Sequence, residues 1–218
     1  MKPVLIINPN GSQKTTQDMV GITSRYLPNV MGWTNHKGPK MIVDRDQLYE
    51  AANQISGAVF PGASALIVAA FGDPGAKELA LSMDIPVIGI AAAAAREAAL
   101  SGVSFAVVTS TPKLAPSIDK IMRAERGDTY LGCYTTEDDP LVLASNSDAL
   151  DYALITSCEI AKKAGAKRII IGGGPLGQAA IRISSQVKVP LIQPLVAACS
   201  EVSALIEHQL PHVQGVDR

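Results

Sequence analysis

Short apolar runs alternate with longer amphipathic stretches along most of the chain. Residues 4–7, residues 65–69 and Arg168–Ile171 are continuous, mostly aliphatic runs, typical of strands buried on both faces. Between such runs, apolar residues recur at helical spacing, as in residues 46–59 and 149–164. This alternation predicts an α/β protein whose parallel sheets are joined by right-handed crossovers.

The same patterns predict the remaining elements. Strands are expected at residues 86–90, 104–108, 129–133 and 190–192, and helices at residues 76–83, at residues 91–100, after Pro112 and at the end of the chain, with an irregular tail after Leu210.

One internal repeat is visible. Residues 65–74 resemble residues 168–175, at an offset of about 103 residues, and in each copy a helix-forming stretch leads to a proline-containing strand at residues 85–88 or 189–192. The repeat predicts two pseudo-symmetric lobes, each a small parallel sheet flanked by helices, with a ligand cleft between them. We expect residues 1–100 and 195–218 to form the first lobe and residues 101–194 the second. Two unrelated strand–loop–helix units are the alternative.

Composition and charge indicate which classes of molecule the protein is expected to bind. Hydrophobic residues make up 47% of the chain and aromatics only 4%, so aliphatic side chains dominate the core, as suits parallel sheets covered by helices. The net charge is −1 and no basic run occurs, which argues against nucleic acid. No segment approaches the roughly 20 apolar residues of a membrane helix. A small molecule, or another copy of the chain in a homo-oligomer, is the expected partner.

The cysteines and the N-terminus indicate a cytoplasmic protein. Cys133, Cys158 and Cys199 are odd in number and widely spaced, unlike a disulfide framework or a zinc site. The first apolar run, of four residues, is too short for a signal peptide. No metal-ligand set or nucleotide motif is present, so we predict no metal and no cofactor.

Four loops at predicted strand ends are candidate binding elements: residues 8–12, 71–75, 109–112 and 172–175. Ligands of open parallel sheets bind beyond the carboxyl ends of strands, and facing lobes would bring these loops to one cleft. Their hydroxyls and backbone amides favour a carboxylate or an imide-like carbonyl. Each loop, taken singly, is equally consistent with a turn or a helix cap. The predicted substrate-binding residues are Asn8, Asn10, Ser12, Phe71, Gly72, Thr109, Ser110, Thr111, Gly174 and Pro175.

These loops carry a family resemblance. The segment Asn8-Pro9-Asn10-Gly11-Ser12 resembles the opening Asn-Pro-Asn-Thr-Ser motif of hydantoin and allantoin racemases, and Phe71-Gly72-Asp73-Pro74-Gly75 matches their central loop. Gly38-Pro39, residues 106–109 and residues 171–176 also occupy corresponding places. The resemblance covers about residues 4–202 and identifies the chain as similar to the aspartate/glutamate/hydantoin racemase superfamily. It implies that family's two-lobed fold and cofactor-independent isomerase chemistry on a small carboxylate or cyclic amide.

The resemblance also implies a catalytic cysteine on each side of the substrate, one removing and one returning a proton. The matching positions hold Ala70 and Gly173 here, and neither residue can carry a proton. Ala70 alone would fit an engineered inactivation, whereas Gly173, within Gly-Gly-Gly-Pro, fits a naturally divergent branch.

Three functions therefore remain open. The cleft could stabilise an enolate-like oxyanion in a cofactor-free hydrolase or lyase, it could bind a small carboxylate without catalysis, or other residues could racemise. Asp73 is the nearest carboxylate and a candidate base, although an Asp before Pro at a helix start is more often a cap.

Overall fold

The computed structural model describes residues 2–209; the predicted tail after Leu210 lies outside them. The strands are β1 (Val4–Asn8), β2 (Val30–Thr34), β3 (Ala65–Val68), β4 (Val87–Gly89), β5 (Phe105–Thr109), β6 (Tyr130–Thr135), β7 (Arg168–Ile171) and β8 (Leu191–Ile192). The helices are α1 (Gln13–Thr23), α2 (Arg45–Ser56), α3 (Ala76–Ser82), α4 (Ile90–Ala98), α5 (Ala115–Arg126), α6 (Pro140–Ala144), α7 (Ser147–Lys163), α8 (Gly177–Ile183) and α9 (Pro194–Gln209).

The strands form two four-stranded parallel sheets with the same strand order. The first is β2-β1-β3-β4 and the second is β6-β5-β7-β8, so each strand of one sheet has a counterpart in the other. Even the closing hydrogen bonds correspond: the Asn35 amide donates to the Asn8 carbonyl at 3.0 Å, and the Thr136 amide donates to the Thr109 carbonyl at 3.1 Å. The predicted pair of small α/β lobes is confirmed.

Residue pattern and burial agree in the central strands. All four residues of β3 and all five of β5 are buried, as expected for strands covered by helices on both faces. The edge strand β2 was not predicted, because Met31 and Gly32 are exposed and its structure depends on pairing with β1. The short helix α6 was not predicted either.

Helices α4 and α9 pack together where the two sheets meet. Helix α4 is buried along most of its length and contacts α5, α9 and β7, while α9 also contacts α1. Arg96 of α4 binds Glu125 of α5 at 2.8 Å and Glu201 of α9 at 2.7 Å. The chain thus returns at its end to helices of its first half, while the lobe boundaries at residues 100 and 194 stay predictions.

None of the helices within residues 2–209 combines the length and the hydrophobicity needed to cross a membrane.

Candidate functional site

A cleft opens between the carboxyl ends of the two sheets. In each sheet the second strand along the chain (β2 or β6) lies on one side of the first (β1 or β5), and the third (β3 or β7) lies on its other side. This reversal of strand order creates a crevice at the carboxyl ends of the strands. The cavity volume is about 40 Å³, so the cleft is narrow and suits only a small ligand. Its walls are formed by Asn10, Met41, Ile42, Leu48, Ala69, Ala70, Phe71, Thr109, Ser110, Thr111, Leu114, Gly172, Gly173, Gly174, Pro175 and Leu176.

The loop after β1 is held rigid by the amide of Asn8. Its Nδ2 donates to Asn10 Oδ1 at 2.9 Å, to the Ser12 carbonyl at 3.1 Å and to Thr16 Oγ1 at 2.9 Å, and its Oδ1 accepts from the Asn10 backbone. Ser12 caps α1 by accepting the amide of Thr15. Asn8 and Ser12 therefore support the loop and do not line the cleft, whereas Asn10 does.

The loop after β5 brings three hydroxyls to the opposite wall. Thr109, Ser110 and Thr111 are all buried, and the Thr109 and Thr111 hydroxyl oxygens lie 3.1 Å apart. Ser110 Oγ makes no hydrogen bond within the part of the chain that the structure describes, nor does Asn10 Nδ2. These groups remain able to bind a ligand.

Backbone amides add a second set of donors. The N–H groups of Ala70, Phe71, Gly173 and Gly174 make no hydrogen bond among residues 2–209. They follow β3 and β7, the paired strands of the repeat, and all four residues line the cleft. Amides in this arrangement suit an anionic or carbonyl oxygen.

The two halves touch directly beside these amides. A Cβ on Gly172 would lie 2.6 Å from Phe71 Cε1, and a Cβ on Gly174 would lie 2.4 Å from the Ala69 carbonyl oxygen. Both positions therefore require glycine, because the opposite half occupies the space that a side chain would need.

Ala70 and Gly173 lie on the wall of this one cleft, but their surroundings differ. Ala70 is partly exposed at the cleft. A Cβ on Gly173 would lie 3.0 Å from Leu176 Cγ and 3.2 Å from its Cδ1. The buried Leu176 side chain therefore takes up the space beside position 173.

Asp73 lies behind the cleft wall. Its two carboxylate oxygens accept the backbone amides of Ala91 and Ala92, each at 2.8 Å, so Asp73 caps α4 instead of α3. Its φ is 45°, and Gly89 leaves room for the carboxylate. Gly72 packs near Leu48, and like Asp73 it borders a separate groove on the other side of the loop.

The Asp73 carboxyl is surrounded by protein although the residue keeps partial solvent exposure. Burial raises the pKa of Asp73 to about 7, and the two amide donors together with Arg96 oppose a further rise. Both of its carboxylate oxygens already accept backbone amides, and Asp73 does not line the cleft.

No cysteine among the described residues lines the cleft. Cys158 and Cys199 are buried and Cys133 is partly buried in β6, and burial raises the pKa of each thiol to about 12. The cleft wall, as far as residues 2–209 define it, carries no ionisable side chain at all. Within the same residues, no three His, Cys, Asp or Glu side chains are grouped to hold a metal ion.

The sequence profile described as Asp/Glu/Hydantoin racemase matches residues 4–202. This chain belongs to that family. A hydantoin racemase from Paenarthrobacter aurescens is 24% identical over 216 residues, covering 93% of this chain and 90% of its own length. A hydantoin racemase from Rhizobium meliloti is 30% identical over 150 residues, covering 66% of this chain and 61% of its own length.

Solved structures of the racemase family share the fold. The allantoin racemase from Pseudomonas fluorescens superposes with a TM-score of 0.86 at 23% identity, covering 95% of this chain and 92% of that chain. The allantoin racemase from Klebsiella pneumoniae gives a TM-score of 0.84 at 24% identity, covering 96% and 89%. The predicted family and fold are confirmed.

Seven of the ten predicted binding residues line the cleft: Asn10, Phe71, Thr109, Ser110, Thr111, Gly174 and Pro175. Ala70 and Gly173, the positions of the implied cysteines, line it as well. Sequence reasoning missed the apolar residues Met41, Ile42, Leu48, Leu114 and Leu176. Helical spacing marked Leu48 as a packing residue, and only the fold turns it towards the cleft.

Proposed function

We propose that this racemase-family chain binds a small carboxylate or cyclic amide in the cleft between its lobes and does not racemise it with a pair of thiols. The observation that carries the proposal is a cleft rich in hydrogen-bond donors whose described walls contain no ionisable side chain. The curated relatives are named hydantoin racemases, which supports a cyclic amide as the ligand class.

The donors suit an oxygen of such a ligand. The free amides of Ala70 and Phe71 belong to one half, and those of Gly173 and Gly174 belong to the other. The hydroxyls of Ser110 and Thr111 can donate to a second oxygen or accept from a ring N–H. A planar carboxylate or imide offers oxygens that can satisfy both sets at once.

Proton transfer lacks the groups that it needs. Racemisation requires an acid or base on each face of the carbon, with a pKa near the working pH. The resemblance implies thiols at positions 70 and 173, where this chain has alanine and glycine. Asp73 is engaged with Ala91 and Ala92, so we assign it a supporting role in place of a catalytic one.

A cofactor-free hydrolase or lyase is the second candidate. It is favoured by the free amides, which would stabilise negative charge developing on a carbonyl oxygen. The open space beside Ala70 could hold a water molecule as the nucleophile. This chemistry would open the ring or release carbon dioxide, so its products differ from those of racemisation.

One experiment separates the candidates. The protein is incubated in deuterated water with hydantoin, 5-substituted hydantoins, allantoin and small dicarboxylates, while NMR follows the α-proton and calorimetry measures affinity. We expect saturable binding without loss of the α-proton signal beyond the spontaneous rate. Ring opening or decarboxylation would establish the second candidate, and enzyme-dependent deuterium exchange would overturn the proposal.

A matched pair of variants locates the binding. Ser110→Ala removes a free hydroxyl from the cleft, and we expect about a tenfold loss of affinity, which is 1.4 kcal/mol. Ser185→Ala removes an exposed hydroxyl that does not line the cleft, and should leave affinity unchanged. Equal affinities for both variants would place the ligand elsewhere.

A further inference from the structure

A larger groove, called the outer groove, lies on the surface beside the cleft. It lies between the start of α1 in the first half and α6, α7 and α8 in the second, with a cavity volume of about 700 Å³. Cleft and outer groove share Met41, Ser110, Pro175 and Leu176 as walls. The two spaces are therefore adjacent and meet at these four residues.

The chemistry of the outer groove differs from that of the cleft. The cleft has no ionisable side chain among its described lining residues, whereas the outer groove contains Lys14, Asp18, Lys40 and Arg182. Lys14 is neutralised by Asp18 at 2.6 Å. Arg182 is paired through Nε and Nη2 with Asp151, each at 2.7 Å. Its Nη1 makes no hydrogen bond within the described residues.

Lys40 makes no ion pair among residues 2–209 and is exposed in the groove, whereas Arg182 lies near the negative charges of both Asp151 and Asp148. Apolar surface lies beside these charges, since Leu141 and Ala144 of α6 are exposed in the same groove. Such walls suit a chain of methylene groups that ends in an anion.

We propose that the outer groove is a second subsite, which takes the substituent of the ligand whose ring or carboxylate is held in the cleft, and that this substituent is an aliphatic chain ending in a carboxylate. This inference rests on the proposed function and specifies its ligand class. It predicts selectivity by the end group of the substituent, which the cleft alone would not provide.

Four probes test the subsite by calorimetry at low ionic strength: unsubstituted hydantoin, 5-propylhydantoin, hydantoin-5-propionic acid and the corresponding propionamide. We expect the acid to bind about tenfold more tightly than the amide, which is 1.4 kcal/mol. The advantage should shrink as salt is added, because the groove is open to solvent. Equal affinity of acid and amide would overturn the subsite.

Three variants with exposed target residues sharpen the result. Lys40→Gln removes the unpaired charge, and Gln178→Glu adds a negative charge to the groove without changing side-chain shape. We expect both to abolish the preference for the acid while leaving unsubstituted hydantoin unaffected. Lys37→Gln, on the same loop as Lys40 but outside the groove lining, should retain the preference.

The two proposals fail in different ways. If unsubstituted hydantoin binds and the acid gains nothing, the cleft remains a site and the outer groove does not. If no probe binds, both the cyclic-amide site and the subsite are overturned. If Lys37→Gln reduces the preference as much as Lys40→Gln does, general charge attraction explains the selectivity and the subsite is wrong.

Discussion

The two halves have the same strand order but stabilise their functional loops differently. In the first half, Asn8 binds three groups, Thr16 and Thr34 share a hydroxyl contact of 2.6 Å, and Asn35 donates to the Pro9 carbonyl and to Gln54. In the second half, the matching loop has the single Thr109–Thr111 contact. The polar side chains of the first half thus bond to one another and stabilise the loop, whereas those of the second half remain available to a ligand.

Thr136 shows the contrast at a single position. It is the counterpart of Asn35, because each donates its backbone amide to the carbonyl that ends the first strand of its sheet. The Asn35 side chain has two partners, whereas Thr136 Oγ1 is buried without a partner within the described residues. We therefore expect that replacing buried polar side chains by apolar ones lowers stability more in the first half than in the second.

The largest effect is expected where the halves touch. Gly174→Ala would place a Cβ 2.4 Å from the Ala69 carbonyl oxygen and 2.9 Å from Met19 Sδ, and the backbone oxygen cannot move aside cheaply. We expect a loss of about 3 kcal/mol or more in the free energy of unfolding, measured by urea denaturation. Gly21→Ala, in α1 with open space around it, should stabilise by up to about 1 kcal/mol.

The next largest effect distinguishes a side chain that stabilises a loop, Asn8, from one that is available to a ligand, Thr109. Asn8→Ala should cost about 2–3 kcal/mol, because it removes the bonds to Asn10, Ser12 and Thr16 and leaves the Asn10 backbone N–H without its acceptor. Thr109→Val should cost about 1 kcal/mol or less, since only the Thr111 hydroxyl loses a partner. In protein that remains folded, Thr109→Val should reduce ligand affinity more than Asn8→Ala does. Similar stability losses for both would contradict the proposed asymmetry.

Asp73 gives a pH-dependent comparison. Its folded-state pKa of about 7 lies above the unfolded value of 3.8, so the native state holds the proton more tightly and stability falls as pH rises from about 4 to 7. The slope should stay below about 1.4 kcal/mol per pH unit, and partial solvent exposure will reduce it.

Asp73→Asn should remove this dependence and also cost about 1–2 kcal/mol at low pH, because its amide nitrogen cannot accept from both Ala91 and Ala92. Thermal unfolding of both proteins between pH 5 and 8 measures the difference. Parallel curves across this range would show that Asp73 does not titrate there.

The smallest effect tests the orphan hydroxyl. Thr136→Val replaces a buried group that lacks a partner and should stabilise the protein by about 0.5–1 kcal/mol. Thr34→Val removes one side of the 2.6 Å contact with Thr16 and should destabilise by about 1 kcal/mol. The same Thr→Val substitution should therefore raise stability at position 136 and lower it at position 34. Stability changes of the same sign would contradict the contrast between the halves.

Periodicity and the internal repeat were sufficient to predict most of the fold. The strands β3 and β7 are continuous apolar runs, and the helix predicted at residues 149–164 is α7 at Ser147–Lys163. The edge strand β2 was missed because exposed residues carry no burial signal, and α6 because five residues show too little periodicity.

The loops of the candidate site were predictable, but the use of each side chain was not. Asn8 and Asn10 are two residues apart in the same turn. Only the folded loop shows that the Asn8 side chain bonds within the loop while Asn10 lines the cleft. Asp73 precedes a proline at a helix start, a pattern that predicts a cap for α3. The cap is made instead on α4, 18 residues later in the chain.

The leucine beside Gly173 makes the two cleft faces unequal in how readily they can change. A new side chain at position 70 enters open space, so one substitution suffices to place a functional group there. At position 173 an added Cβ would lie 3.0 Å from Leu176 Cγ, so a side chain can enter on that face only if the leucine shifts by a few tenths of an ångström. Single substitutions can therefore introduce a functional group at position 70 more readily than at position 173.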